Sequence, residues 1–484
     1  MITASTHRLK GPVTPGRRIR AVLVTLFGSG LLAAVSSTSH AALVYAWGGN
    51  SFGQIGDGTT VRRTGPTAVS TLSNQVAAVA AGGYHSFAIQ NGALYDWGWN
   101  SSAQLGDGTF FNSSHPIAVS GLGSGVTAID GGHAHSLAIK SGAVFAWGHN
   151  TSGQLGQGHT TGRSTPGIVT TLGSGVTEVK AGYAHSMAIQ NGALYAWGLN
   201  SSGQLGDGTT TNRSTPATVG ALTHGVTHIV AGSGFSLAVQ NGALYSWGSN
   251  VWGELGIGTT ANHPTPAPVT ALNDSVTAIA AGNSHALALK NGSVYAWGYN
   301  AYGQLGNDNG HRSTPAVVAG LGNIVALAAN ADASYALSGD GRLWAWGLND
   351  VGQLGVGDRV NRSTPTPVAA PAGYKFASIE GSLSGNHALA TLVPVVDGDF
   401  TGDGRVDGSD FVAWQRGGSP RAMSASDLEL WRQNFVSSHV TLLSAVPEPT
   451  GGALAAISLL SAACAIRRHV GKVVREPTRL RGMD

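Results

Sequence analysis

Residues 181–219 read AGYAHSMAIQNGALYAWGLNSSGQLGDGTTTNRSTPATV, and variants of this stretch recur along most of the chain. Its Trp-Gly pair marks the period. Trp47, Trp97, Trp147, Trp197, Trp247, Trp297 and Trp346 stand 50 residues apart, once 49. A repeat of that length means stacked or radially arranged supersecondary units. Each unit is rich in Gly, Ala, Val, Thr and Ser and holds no long amphipathic pattern. Leu194-Tyr195-Ala196-Trp197 alternates so that Tyr195 and Trp197 share one face, as a pleated strand requires. Residues 176–179 and 185–189 read as two more short strands, and a fourth is expected after Pro216. Asn191-Gly192 suits a two-residue hairpin, because both residues tolerate positive φ. Four short antiparallel strands per unit is the recipe for a propeller blade.

The two ends of the array complement each other. The first Trp strand, at residues 44–47, has no upstream partners, and residues 376–392 form a half unit without Trp-Gly. Together they complete a seventh blade. Pairing them would close the ring and remove exposed sheet edges. An open solenoid would need caps, and none is visible. The expected fold is all-β: a seven-bladed β-propeller of about 50-residue repeats over 42–393. The pattern AGxxHSxAI…NGALYAWGxNxxGQLGxG…RSTP resembles the regulator of chromosome condensation repeat. That resemblance implies a seven-bladed propeller acting as a binding platform, with no particular partner, because function lives in sites grafted on the fold.

Residues 1–41 read as an export signal. Arg17, Arg18 and Arg20 precede an apolar run over 21–35, and Ser39-His40-Ala41 forms a small-x-small cleavage site. Either Sec or twin-arginine export fits. The charge balance follows from the chain's ends: the whole sequence carries 27 Lys+Arg against 24 Asp+Glu, but residues 42–466 carry 16 against 22, a net of −6. A mildly acidic ring argues against nucleic acid as a partner. Cys464 is the single cysteine, so an exported ring would be held by its core and its closure rather than by disulfides.

Residues 394–440 change character. Asp399, Thr401, Asp403, Asp407 and Asp410 fall at loop positions 1, 3, 5, 9 and 12, with Gly404 at 6 and the Arg405 carbonyl at 7. That order is the oxygen cage of an EF-hand-type calcium loop. Asp410 replaces the usual bidentate Glu, which dockerin-like loops accept. The echo of residues 410–416 in 427–433 resembles a small α-helical dockerin module with one calcium rather than two, since 416–426 lacks a ligand pattern. Residues 446–468 resemble a PEP-CTERM sorting signal. Val446-Pro447-Glu448-Pro449 leads into an apolar segment over 451–466 and a basic stop at Arg467 and Arg468, which implies processing by an exosortase-type enzyme. A plain membrane anchor is the alternative. A basic tail follows over 469–484. The expected location is the outer surface or matrix of a Gram-negative-type bacterium, with transient or permanent membrane anchoring.

Candidate chemistry is sparse. His85, His135, His185, His285 and His387 share one repeat position, filled by Phe235 and Ala333 elsewhere; a structural hydrogen bond or a metal could explain them, and a metal needs converging ligands. Gln54, Gln104, Gln154, Gln204, Gln304 and Gln353, with Glu254 in the remaining blade, read as turn-locking amides, and the Arg-Ser-Thr-Pro corners as turns leading into strands. Departures from the repeat are more informative. Trp99, Tyr299 and His149 fill one loop slot; Trp252, Tyr302 and Phe52 fill another; Phe110 and Phe111 interrupt a Thr-rich loop; Tyr84, His133 and Tyr183 vary near the axis. Loop aromatics on a rigid scaffold suit a protein or surface-glycan interface, or packing between blades. Asp96 stands alone where other blades place Ala or Ser. No phosphate loop, nucleophile elbow or zinc motif appears. The reading is a non-enzymatic, monomeric platform for binding a macromolecule. The alternatives are a secreted inhibitor resembling beta-lactamase inhibitory propellers, or a polysaccharide-active enzyme whose groups converge only at the ring's centre.

Overall fold

The computed structural model describes residues 43–72, 75–307 and 310–395, together with Val412. The chain divides into Met1–Ser39 and His40–Asp484, and the first unit lies wholly outside the described residues. So do the expected export signal, the expected calcium ligands, the expected dockerin-like module apart from residues 394, 395 and Val412, and the expected sorting signal.

Seven sheets carry the described chain. Six of them run in simple chain order, as in Val176–Ala181, His185–Gln190, Ala193–Gly198 and Arg213–Thr218. The first strand of each lines the axis and the last faces outward. The Asn191-Gly192 hairpin has φ of 50° and 78°, the left-handed pair that a tight turn between twisted strands demands. One expectation shifts. The outer strand begins at Arg213, so Arg-Ser-Thr-Pro lies inside it rather than leading into it. A register break between Ala196 and Gly198 lets Pro216 sit without disrupting the ladder, as an outer, bulged strand permits.

Closure is the seventh sheet. Leu43–Gly48 pairs with Arg63–Ala68 on one side and with His387–Pro394 on the other, from Leu43↔Leu392 to Gly48↔His387. Tyr374–Phe376 and Glu380–Gly381 complete it.

Seven hydrophobic clusters fill the seven blade interfaces, and every one holds a repeat Trp that is fully buried. Trp247, for example, packs with Met187, Leu194, Leu205 and Val219 of the preceding blade. Its Nε1 donates to the Gln204 carbonyl at 2.9 Å. The second Gly of Gly-Gln-Leu-Gly is fixed by that contact: a Cβ on Gly206, at φ +72°, would stand 2.7 Å from Trp247 Nε1.

A buried relay ties neighbouring blades. His85 Nε2 meets Ser136 Oγ at 3.0 Å, and Ser136 Oγ donates to the Gln104 carbonyl at 2.8 Å, which also accepts from Trp147 Nε1. His135–Ser186, His185–Ser236, His285–Ser334 and His387–Ser86 repeat it. Because Ser spends its proton on the carbonyl, the imidazole must donate from Nε2, and burial favours its neutral form. Burial pushes His135, His285 and His387 down to about 3 and His185 to about 4. The two blades without His obey the same rule. Phe235 stands where the next blade has Ala286, and Ala333 where it has Ala388. Donor and acceptor are lost together, so the histidines are structural. No cluster of three or more His, Cys, Asp or Glu suits a metal among the described residues.

Candidate functional site

The loops after Trp-Gly and the turns between first and second strands share one face of the ring, bonded as in Trp99 N to Tyr84 O at 2.8 Å. The hairpins and the links between blades occupy the other. Leu43 starts, and Pro394 ends, at the hairpin face, because both strands meet the loop face at Gly48↔His387.

Two aromatic groups stand on the loop face. In the first, Phe52 and Tyr84 lie 5.5 Å apart, Trp99 lies 5.9 Å from Phe52 and 6.0 Å from Tyr84, and His133 lies 5.8 Å from both Tyr84 and Trp99. Tyr183 stacks on His133 at 4.4 Å and 18°. The rings cross four consecutive blades, from half-buried Phe52 to exposed Tyr183. Packing and display are therefore one arrangement: the inner rings hold each other, and the outer edge is presented. In the second group, Trp252 lies 4.9 Å from Tyr299 and 4.8 Å from His311, and Tyr299 stacks on His311 at 4.8 Å and touches Tyr302 at 6.2 Å. His311 Nδ1 accepts the Asn300 N–H at 2.9 Å, where other blades use an Asn side chain. Trp252 and Tyr302 keep 41% and 37% of their surface exposed, and Phe110 and Phe111 keep 63% and 81%. Among the described residues no ring contact joins the two phenylalanines to either group.

A third feature lies at the axis of the ring. The axis holds a cavity of about 190 Å³, ringed by one Ala or Gly from every blade. Asp130, Glu178, Lys180, His228 and Glu380 also line it. Asp130 accepts the Ala181 N–H at 2.7 Å and faces Lys180 Nζ at 3.5 Å. The Asp130 charge, with those of Glu380 and Glu178, holds the Lys180 ammonium well above its usual range. Burial raises Glu178 and Glu380 to about 7, against the pull of Lys180. Burial also raises Asp130. A usable signal existed: these five occupy positions where most other blades place Ala, Val or Ser.

Asp96 is fully buried, and among the described residues neither carboxyl oxygen has a hydrogen-bond partner of normal geometry, the backbone N–H of Trp97 acting on it only weakly. Burial drives its carboxyl well above the usual carboxylate range. Ser246, at the same position, instead donates to the Leu255 carbonyl at 2.7 Å.

The fold and its relay define a closed propeller that displays loops from one face. Segments 42–89, 91–139, 141–189, 191–239, 241–289, 291–337 and 340–390 match the "Regulator of chromosome condensation (RCC1) repeat". The chain belongs to this repeat family. Its fold is similar to that of Prp20p from Saccharomyces cerevisiae, reported with its binding to Gsp1p and histones, at TM-score 0.66 and 22% identity over 74% of this chain and 93% of that one. Yeast RCC1 (Prp20) bound to Kap60 gives 0.67 and 21% over 74% and 90%. Human WBSCR16 gives 0.65 and 22% over 74% and 100%. No curated protein sequence matches the chain.

Proposed function

We propose that this protein is an exported platform that binds another protein through its loop face, centred on the Phe52–Tyr84–Trp99–His133–Tyr183 array. The observation that carries the reading is that array's continuity across four blades. Rigid aromatic rings offer large contact area at low entropic cost, and such residues dominate binding energy at interfaces. Leu43 and Pro394, the ends of the closure strands, lie on the hairpin face, opposite the aromatic array. Structurally similar propellers are reported with protein partners, which agrees in kind. Residues 1–41 and 446–468 support export and surface retention in this reading; envelope fractionation of the producing cell tests it, and a cytoplasmic pool would sink it. The loop from Asp399 to Asp410 is proposed to bind one calcium ion. Asp403→Ala in the full chain should abolish a calcium-dependent rise in melting temperature, and no rise in the wild type would make the loop vestigial.

The experiment for the main reading is capture by the full-length chain from the producer's surface fraction, repeated with Trp99→Ala and Trp252→Ala. One enriched protein, lost with Trp99→Ala, supports it; capture indifferent to both substitutions contradicts the chosen face. A polysaccharide-active enzyme gains one supporting observation, the carboxyls that converge on the axis. It requires turnover of glycan that Glu178→Gln or Glu380→Gln abolishes.

A further inference from the structure

The axial cavity has a charge imbalance that the ring does not resolve. Three carboxyls, Asp130, Glu178 and Glu380, share one ammonium, that of Lys180, and His228 on the same wall is held toward its neutral form by burial. Lys180 is engaged with Asp130. Glu380 lines the cavity from the closure blade, where Lys180 acts on its carboxyl through charge, with no hydrogen bond among the described residues. Three carboxylates drawn from water around one ammonium are costly to ionise, and a second positive charge recovers part of that cost. The void beside them is ringed by Ala and Gly, whose small side chains leave room at the axis. The acids are not grouped as metal ligands among the described residues. A slim organic cation fits better.

We infer that the axial cavity is a binding site for one primary alkylammonium group, held by the carboxylates of Glu380 and Glu178 beside the Lys180–Asp130 pair. The group can arrive as a free small amine or as the tip of a lysine side chain. This site stands on the channel alone and is independent of the aromatic face.

The test is calorimetric titration of the full-length chain at pH 8 with n-butylamine and, separately, with Nα-acetyl-lysine methylamide, with n-butanol as the uncharged control. The expected result is saturable one-to-one binding of at least one amine and none of butanol. Binding should weaken at least tenfold in Glu380→Gln and in Glu178→Gln, each shown folded by its melting temperature. It should also weaken at pH 5.5, below the raised range of both glutamates, where protons compete with the cation for the carboxylates. Preference for butylamine assigns the site to free amines; preference for the lysine derivative assigns it to a partner's side chain. Absence of saturable binding by either amine, or equal affinity in both folded variants, overturns the inference.

Discussion

At the scale of single residues, two positions separate structure from function. The histidine–serine relay is inherited as a pair: Phe235 faces a blade with Ala286, and Ala333 one with Ala388. Changing Ser186→Ala alone strands the His135 Nε2 donor and should cost about 1–3 kcal/mol. Adding His135→Phe should recover part of that cost, because the double change copies the native Phe235–Ala286 pair. A thermal-melting double-mutant cycle checks this, and strict additivity would contradict it. Asp96 runs the other way. Its folded state holds a proton that the unfolded chain releases above its ordinary range, so it costs stability as pH rises past about 3.8. Asp96→Ala should therefore raise the melting temperature, by more at pH 8 than at pH 4. A gain independent of pH would mean that the carboxyl is not the cause.

At the scale of the blade, the sequence was a good guide where a physical rule acts locally. Trp-Gly timing, Asn-Gly turns and pleat alternation fixed the strands, because each depends on neighbours a few residues away. The Arg-Ser-Thr-Pro segment was misplaced because its register break depends on the partner strand at Gly198. The Trp–Gly contact also crosses blades, yet it repeats, so its meaning is clear once the ring closes. Gly206→Ala forces a Cβ toward Trp247 at a left-handed backbone and should destabilise by more than about 1 kcal/mol, read by denaturant melts. An unchanged midpoint would mean that the indole can move aside.

At the scale of the whole ring, convergence is what sequence could not reveal. Asp130, Lys180 and Glu380 are separated by up to 250 residues and meet only because seven blades share an axis. The loop-face aromatics were visible as departures from the repeat, but their contiguity was not, since Phe52, Trp99 and Tyr183 touch through neighbours on other blades. The ring also makes a collective prediction about acid. Its five buried histidines are neutral when folded and protonate freely once unfolded, near pH 6.5. The unfolded chain then binds more protons, so stability is full above pH 6.5 and is lost as pH falls toward 4. Melting temperature should drop over that interval, less steeply in a His135→Phe/Ser186→Ala variant; a flat profile would contradict the assigned neutral tautomers.

The docking surface proposed for this ring is the array around Trp99. Its most direct measurement is the affinity of the captured protein for the wild-type chain, for Trp99→Ala and Tyr183→Ala, and for His224→Ala on the hairpin face. Loss of at least tenfold with the first two, and none with the third, is the predicted result. Equal affinities for all four chains, or loss confined to His224→Ala, would place the interface elsewhere on the ring.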